Sequence, residues 1–384
     1  MLDAPLSIPP LSLYIHIPWC VRKCPYCDFN SHAAEPELPE DAYIQALIQD
    51  LDIEEPYVQG RKLTSIFLGG GTPSLFSVEA IGRIIQAAKR RIGFEENVEI
   101  TLEANPGTFE QEKFKGYHSV GVNRLSIGVQ SFNNQHLEKL GRIHSGEQAI
   151  TAINAAKKAG FDNFNIDLMH GLSGQTTSQA ISDLQQAIEL SPTHISWYQL
   201  TIEPNTAFFN KPPTLPTDII LEAIQDAGHR TLQDNGYQQY EVSAFCKKGK
   251  ESRHNKNYWE FGDYLGIGAG AHGKITLPSE QRIIRTAKTR SPKDYLSREQ
   301  TYTSSCKNIP TAELPLEFMM NALRLNQGVD KHVFEKRTGI NLDIIKNTLE
   351  NLEHRNLLMD SKNRLSTTKK GHQFLNYVLE QFNK

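Results

Sequence analysis

The sequence runs to 384 residues, longer than one typical domain, so a large core with at least one smaller unit is expected. With 39% hydrophobic and 22% charged residues it is neither a disordered chain nor a fibre, and its net charge of -3 gives no global pull toward nucleic acid or an anionic membrane. The start, MLDAPLSIPPLSLY, has no basic stretch leading into an apolar one, and no later window has the apolar run that a bilayer span needs, so a cytoplasmic protein is expected.

From residue 12 to about 240, short β-branched runs alternate with longer amphipathic stretches, the pattern of βα units around a parallel sheet. Strands are predicted at Leu13 to Ile17, Ser65 to Leu68, Val98 to Leu102, Arg124 to Val129, Asn163 to Leu168 and His194 to Leu200, each apolar enough to be buried on both faces. Helices are predicted between them, among others at Asp41 to Glu54, Ser77 to Arg91, Gly146 to Ala159 and Ser178 to Leu190, where apolar residues recur three and four apart. A polar or glycine-rich feature follows each strand. Three cysteines follow the first and Gly69-Gly70-Gly71-Thr72-Pro73 the second; then come Glu103, Gln130, Asp167, and Thr201 with Glu203. Barrels of βα units carry their sites at the C-terminal ends of the strands, so these features predict an open (β/α)6 partial barrel of the TIM type with a single site.

After residue 236 the rhythm changes. Tyr237 to Phe245 reads as one further strand, followed by a basic stretch, Lys247 to Trp259, and a glycine-rich segment, Tyr264 to Gly273. Residues 281 to 309 are polar, carry Arg282, Arg285, Lys288 and Arg290, and are expected to cross the surface as a connector. From about Leu314 to Leu379, three helices, a short hairpin around Lys362-Asn363-Arg364 and a last helix give an α+β order that resembles a winged helix. From Thr311 to Lys384 eleven Lys and Arg stand against nine Asp and Glu, a balance too even for tracking phosphates, so no nucleic-acid partner is expected. The expected division is residues 1–240 for the barrel, 241–310 for a flanking extension, and 311–384 for the C-terminal unit.

Five cysteines are an odd number, and three of them, Cys20, Cys24 and Cys27, crowd into eight residues, which reads as a metal site in a reducing compartment. Cys246 and Cys306 are isolated and read as thiols with no role. Thiolates select iron-sulfur clusters or zinc. A structural zinc site closes with four ligands, and only His16, His32 or Asp28 stand near as a fourth, so the residue types favour a cluster and leave zinc open. The Gly69 to Pro73 loop lacks both the Lys-Ser/Thr of a P-loop and the spaced glycines of a dinucleotide fingerprint. It reads either as a tight turn or as bare backbone brought close to a ligand's ammonium group.

The spacing Cys20-x3-Cys24-x2-Cys27 resembles the signature of the radical S-adenosylmethionine superfamily. From about Leu11 to Phe374 the chain resembles the family of anaerobic coproporphyrinogen III dehydrogenase and its relatives. The resemblance rests on Tyr14 to Phe29, Gly69 to Pro73, Glu103-Ala104-Asn105-Pro106, Gly128-Val129-Gln130-Ser131-Phe132 and Asn165 to Leu172. It implies a 4Fe-4S cluster held by the three cysteines, with one iron left open for the methionine end of S-adenosylmethionine. It also implies that Tyr14, Tyr26, Gly70, Gly71, Thr72, Glu103, Gln130, Arg142 and Asp167 hold that nucleoside. Such residues suit it, since carboxylates accept from ribose hydroxyls and the ammonium, while Arg and Gln address the carboxylate and ribose.

Within that family the chain has Phe29 where the dehydrogenase carries a fourth cysteine, and only thirteen residues precede Tyr14. Both features resemble the heme-chaperone branch, as does the run His254-Asn255-Lys256-Asn257-Tyr258-Trp259. This implies heme as a third cofactor with His254 as a ligand, and an apo-hemoprotein acceptor, which a membrane could hold; a homodimer is compatible. By residue type alone a lone histidine is more often solvated or internally satisfied, although Tyr258 and Trp259 suit a macrocycle, and Lys247, Lys248, Lys250, Arg253 and Lys256 suit its propionates. The rival expectation is the enzyme itself, in which a radical from S-adenosylmethionine starts decarboxylation of a porphyrinogen propionate; the sequence leaves turnover of the nucleoside open.

Overall fold

The computed structural model describes residues 4–383, and of residues 108–110 only the backbone. The terminal residues 1–3 and 384, which open and close the expected units, lie outside the described residues. Strands β1 (Leu11–Ile17), β2 (Leu63–Gly70), β3 (Phe94–Ala104), β4 (Arg124–Gln130), β5 (Phe164–His170) and β6 (His194–Gln199) lie side by side in that order, all parallel. Helices at Glu40–Glu54, Val78–Arg91, Thr108–Ser119, Gly146–Lys158 and Thr177–Glu189 fill the crossovers. Two of these begin in capping boxes, in which Ser145 and Thr176 accept from the backbone N–H of Gln148 and Gln179 and those glutamines reach back to the cap residues.

The strands are buried on both faces, as expected, but the two faces differ in chemistry. Leu11, Leu13, Ile15 and Ile17 of β1 join Ile66, Leu68, Ile100, Leu102, Ile127 and Ile166 in the core beneath the helices. The alternate residues face the concave side and are mostly polar. In register they form belts, Ser12 beside Ser65 beside Glu99, and Glu103 beside Ser126 beside Asn165 beside His194. Period-two alternation was thus hidden inside runs that look apolar.

The sheet continues past both ends of this parallel set. Tyr237 to Phe245, expected as one strand, forms two, β7 (Gln238–Glu241) and β8 (Ala244–Cys246), which pair antiparallel with each other while β8 pairs with β6. At the other end β9 (Asp263–Ile267), within the glycine-rich segment, adds a seventh parallel strand beside β1. It is followed antiparallel by β10 (His272–Leu277), β11 (Arg282–Lys288) and β12 (Thr303–Asn308). The connector expected over residues 281 to 309 is therefore corrected: it supplies two strands, and its Lys288 is fully buried against Asp50 and Glu54 of the helix Glu40–Glu54. The twelve-stranded sheet runs from β12 to β7 without closing, so the barrel is open.

The C-terminal residues form a second core around Phe318, Phe334, Leu352 and Val378. Helices Leu314–Ala322, Lys331–Thr338 and Lys346–His354 precede a hairpin closed by Met359 N–H donating to Ser366 C=O, after which the last helix is split into Lys369–Gln373 and Leu375–Glu380. The second limb of the hairpin pairs Leu365 with Val329.

Candidate functional site

The C-terminal ends of β1 to β6 surround a pocket of about 530 Å³ on the concave face. Cys20, Cys24 and Cys27 reach it from the loop after β1, and all three are free and half-buried. Among the described residues no three His, Cys, Asp or Glu side chains close on a single ion. The cysteines of a cubane cluster each take a different iron, so they need only share a pocket wall, as these do. Around them, the Cys24 thiol accepts from Arg142 Nη1 at 3.6 Å, Cys27 lies 3.6 Å from the Ser31 hydroxyl, and Thr72 stands within hydrogen-bonding reach of Cys20.

Glycine at the end of β2 is set by close approach. Gly70 has φ +113, and a Cβ there would stand 2.4 Å from the His16 imidazole; a Cβ on Gly71 would stand 2.5 Å from the Trp19 carbonyl oxygen. The Gly70 N–H donates to Glu103 Oε2 at 3.1 Å. Burial, with Asp167 nearby, pushes the Glu103 carboxyl up to about 8 despite that hydrogen bond. Burial also raises Asp167, whose oxygens accept from Asn165 Nδ2 at 2.8 Å and Ser126 Oγ at 2.9 Å. Gln130, at the end of β4, is buried and holds φ +68, an uncommon conformation for a residue with a side chain, and its Oε1 accepts from the Tyr198 hydroxyl at 2.7 Å.

The structure brings Cys20, Cys24, Cys27, Tyr26, Gly70, Gly71, Thr72, Glu103, Gln130, Arg142 and Asp167 into this one pocket. Tyr14 lines an adjoining cavity, its hydroxyl 3.0 Å from His16 Nδ1. Sequence reasoning missed Asn105, which donates to Thr72 Oγ1 at 2.8 Å and accepts from Arg142 Nη2 at 2.5 Å, tying loop to cation. It sits inside a stretch already singled out, but its bridging role depends on partners from other strands. On β6 the pocket is lined by Ser196 and Tyr198, whereas Thr201 and Glu203 stay outside it.

His254 is not on either wall. It lies in the short helix Arg253–Trp259, buried on the concave face, with Nδ1 3.0 Å from Ser65 Oγ and Nε2 2.9 Å from the Tyr258 hydroxyl. Its backbone N–H donates to Glu99 Oε1 at 3.1 Å, its ring stacks on Phe67, and burial lowers its pKa to about 3. Both ring nitrogens of His254 are thus bonded in this conformation, Nε2 to the hydroxyl of Tyr258, which itself lines the adjoining cavity. The rest of the run does face the site: Asn255 lines the pocket of the cysteines, and Tyr258 and Trp259 line the adjoining cavity.

That cavity, about 910 Å³, shares Phe29, Gly70 and Glu103 with the first pocket and is walled by β1, β9, β10 and β11. Asn30 closes the corner between the cysteine loop and these strands. Its Nδ2 donates to the carbonyls of Ala269 and Arg290 at 2.9 and 2.8 Å, and its own carbonyl accepts from His16 Nε2 at 2.9 Å.

Residues 14–187 match the family model of the radical SAM superfamily, and residues 309–374 match that of the HemN C-terminal domain. The chain is similar to the heme chaperone HemW of Haemophilus influenzae, with 53% identity over 380 residues and 98% of each chain covered. To HemW of Escherichia coli it is 49% identical over 377 residues, 98% of this chain and 99% of the other. To HemW of Bacillus subtilis it is 34% identical over 381 residues, 97% and 98%. Its fold is similar to that of the radical SAM enzyme coproporphyrinogen III oxidase (HemN) from Escherichia coli, with a TM-score of 0.83 at 23% identity, covering 98% of this chain and 91% of that one.

Proposed function

Because the chain belongs to the HemW heme chaperone family, we propose that it binds a 4Fe-4S cluster, S-adenosylmethionine and heme, and that it passes heme to acceptor hemoproteins. The observation that carries this reading is the near-full-length likeness to heme chaperones; the likeness to HemN, at lower identity, concerns the fold. Cys20, Cys24 and Cys27 would hold the cluster, which when bound supplies an iron with no protein ligand. Gly70, Gly71 and Thr72 would offer backbone to the nucleoside in the same pocket, Glu103 and Asp167 would accept from its donors, and Arg142, Gln130 and Tyr26 complete the wall. Tyr14 stays among the residues proposed for the nucleoside, and the run from His254 to Trp259 is assigned to the neighbouring heme side, with His254 as the ligand once its Nε2 is freed from the Tyr258 hydroxyl.

We place the barrel at 1–240, its extension at 241–310 and the C-terminal unit at 311–384, the last serving as a lid or docking unit. No helix among the described residues is long and apolar enough to cross a membrane. The proposal puts the protein in the cytoplasm, with any membrane contact made through a membrane-held acceptor, and allows a homodimer as the working form.

Reconstituted protein is expected to take up hemin and release it to an apo-hemoprotein, followed by the acceptor's absorbance. With S-adenosylmethionine and a reductant it is expected to form no protoporphyrinogen from coproporphyrinogen III; sustained decarboxylation would overturn the chaperone reading. The nucleoside site has its own signature. With Glu103 up at about 8, the empty site holds a protonated carboxyl below that pH, and a ligand that needs the carboxylate must expel the proton. S-adenosylmethionine affinity measured by calorimetry should therefore rise toward about pH 8, by at most about tenfold per unit, and level above it. Glu103→Gln should flatten the slope; an unchanged slope in that variant removes Glu103 from the contact.

A further inference from the structure

The nucleoside pocket of about 530 Å³ is not built by the barrel alone. Glu241, Ser243 and Ala244, at and beside the tight turn between β7 and β8, line it together with Asp167 and Ser196, and so does Arg324, which belongs to the C-terminal unit. On the barrel side the turn is fixed to β6, where the Trp197 N–H donates to the Ser243 carbonyl at 2.8 Å. The hairpin also rests on the second core, in which Tyr240, Ala244 and Cys246 are buried with Phe318 and Leu325.

One short segment, Arg324-Leu325-Asn326, makes the polar part of that contact. The Asn326 N–H donates to the Tyr240 carbonyl at 3.0 Å and its Nδ2 to the Gln239 carbonyl at 3.1 Å, while Leu325 forms an isolated antiparallel bridge with Glu241. Those contacts address the hairpin's backbone. Arg324 addresses a side chain: its Nη2 donates to Glu241 Oε2 at 3.4 Å, and its guanidinium lies over the Trp259 ring, 4.4 Å from the centroid. Its Nε is buried and has no acceptor among the described residues, a cost that an apolar side chain packed in the same place would not carry. Packing stability therefore does not account for an arginine at this position.

Glu241 is its counterpart. The residue is 4% exposed, its Oε1 accepts from the Ser243 N–H at 3.0 Å within the turn, and its Oε2 is met by Arg324. Burial pushes this carboxyl up, and the Arg324 guanidinium is the strongest influence opposing that rise. A guanidinium is planar and stays charged, and one laid on an aromatic face has little freedom left, so it presents Glu241 with a cation in a fixed place.

Resting on the reading that this pocket takes S-adenosylmethionine, we infer that Arg324 is a positioning residue of the nucleoside site, reaching in from the C-terminal unit to hold the Glu241 carboxylate, and the turn that carries it, against the pocket. Arg324 acts through Glu241, and Glu241 is the group that meets the nucleoside's donors. The C-terminal unit is then a working part of the binding site, and the barrel's pocket is complete only with that unit in place.

The test is calorimetric titration of the reconstituted full chain with S-adenosylmethionine, which gives affinity and stoichiometry separately, with iron content and far-UV circular dichroism measured for each variant. Arg324→Gln should bind about tenfold more weakly at full stoichiometry and with unchanged iron, the size expected for a lost hydrogen bond between charged groups. Arg324→Lys keeps a cation beside Glu241 and should recover most of that loss. Glu241→Gln should weaken binding to a similar degree, and the double variant should be no weaker than either single one, because both changes remove the same contact. Wild-type affinity in Arg324→Gln would overturn the inference, as would a fall in stoichiometry with affinity kept, which is the mark of lost folding alone. Effects that multiply in the double variant would overturn it too, since Arg324 would then act by another route than Glu241. All three of these results leave the nucleoside reading of the pocket standing, whereas a wild-type chain that takes up no S-adenosylmethionine would overturn both.

Discussion

Replacing Cys20, Cys24 and Cys27 together by alanine is expected to give a folded protein that retains neither iron nor sulfide after anaerobic reconstitution. The wild-type chain should take up both in equal amounts, and the EPR spectrum of its reduced cluster should change when S-adenosylmethionine is added. The effect is all-or-none because no other thiol is in reach: Cys246 is buried in β8 and Cys306 lies exposed on β12, and neither lines the pocket. The fold should survive, since the three thiols are half-buried on a loop and make contacts no shorter than 3.6 Å among the described hydrogen bonds. Far-UV circular dichroism checks that point. Zinc found tightly bound in protein purified without oxygen would reject the cluster assignment.

The second large effect is on stability. Lys288→Met is expected to cost about 3 to 5 kcal/mol, read as a lower urea midpoint, because it strands two buried carboxylates. In the wild type Lys288 Nζ donates to Asp50 Oδ1 at 2.6 Å, Glu54 Oε1 at 2.5 Å and Thr303 Oγ1 at 3.1 Å. Asp50 further accepts from the Tyr295 hydroxyl at 2.8 Å and the Gly268 N–H at 3.1 Å. Burial alone would lower the lysine's pKa, yet Asp50 and Glu54 hold it above its ordinary value, so the ammonium is the form that ties β11 to the first helix. Lys307→Met, on the exposed face of β12, should stay within about 0.5 kcal/mol of wild type and serves as the control. A midpoint for Lys288→Met equal to that control would show that the network contributes nothing.

What could be read from the chain in advance follows from whether a signal is local. The six parallel strands and their helices announce themselves through runs and spacings that lie within a few residues of each other, and the cysteines through chemistry that few other patterns share. β11 and β12 gave no such sign. Their polar residues look like a surface crossing, and Lys288 becomes a core residue only because Asp50 and Glu54 meet it from more than 230 residues earlier. His254 shows the same limit at the site. The run around it pointed to the right region, but the burial of the ring is decided by Ser65, Glu99 and Phe67, which belong to other strands.

Asn30 gives the cysteine loop a dependence on the far end of the sheet. One side-chain amide joins the residues that would carry iron to the carbonyls of Ala269 and Arg290, which flank His272 and the open face of β10 and β11. If ligation of the thiols orders this loop, these two hydrogen bonds are the direct contact through which the wall would share that order. Thermodynamic reciprocity would then make the two gains equal: by whatever factor a filled cysteine site tightens binding in the neighbouring cavity, a ligand there tightens the cysteine site's hold at equilibrium by the same factor.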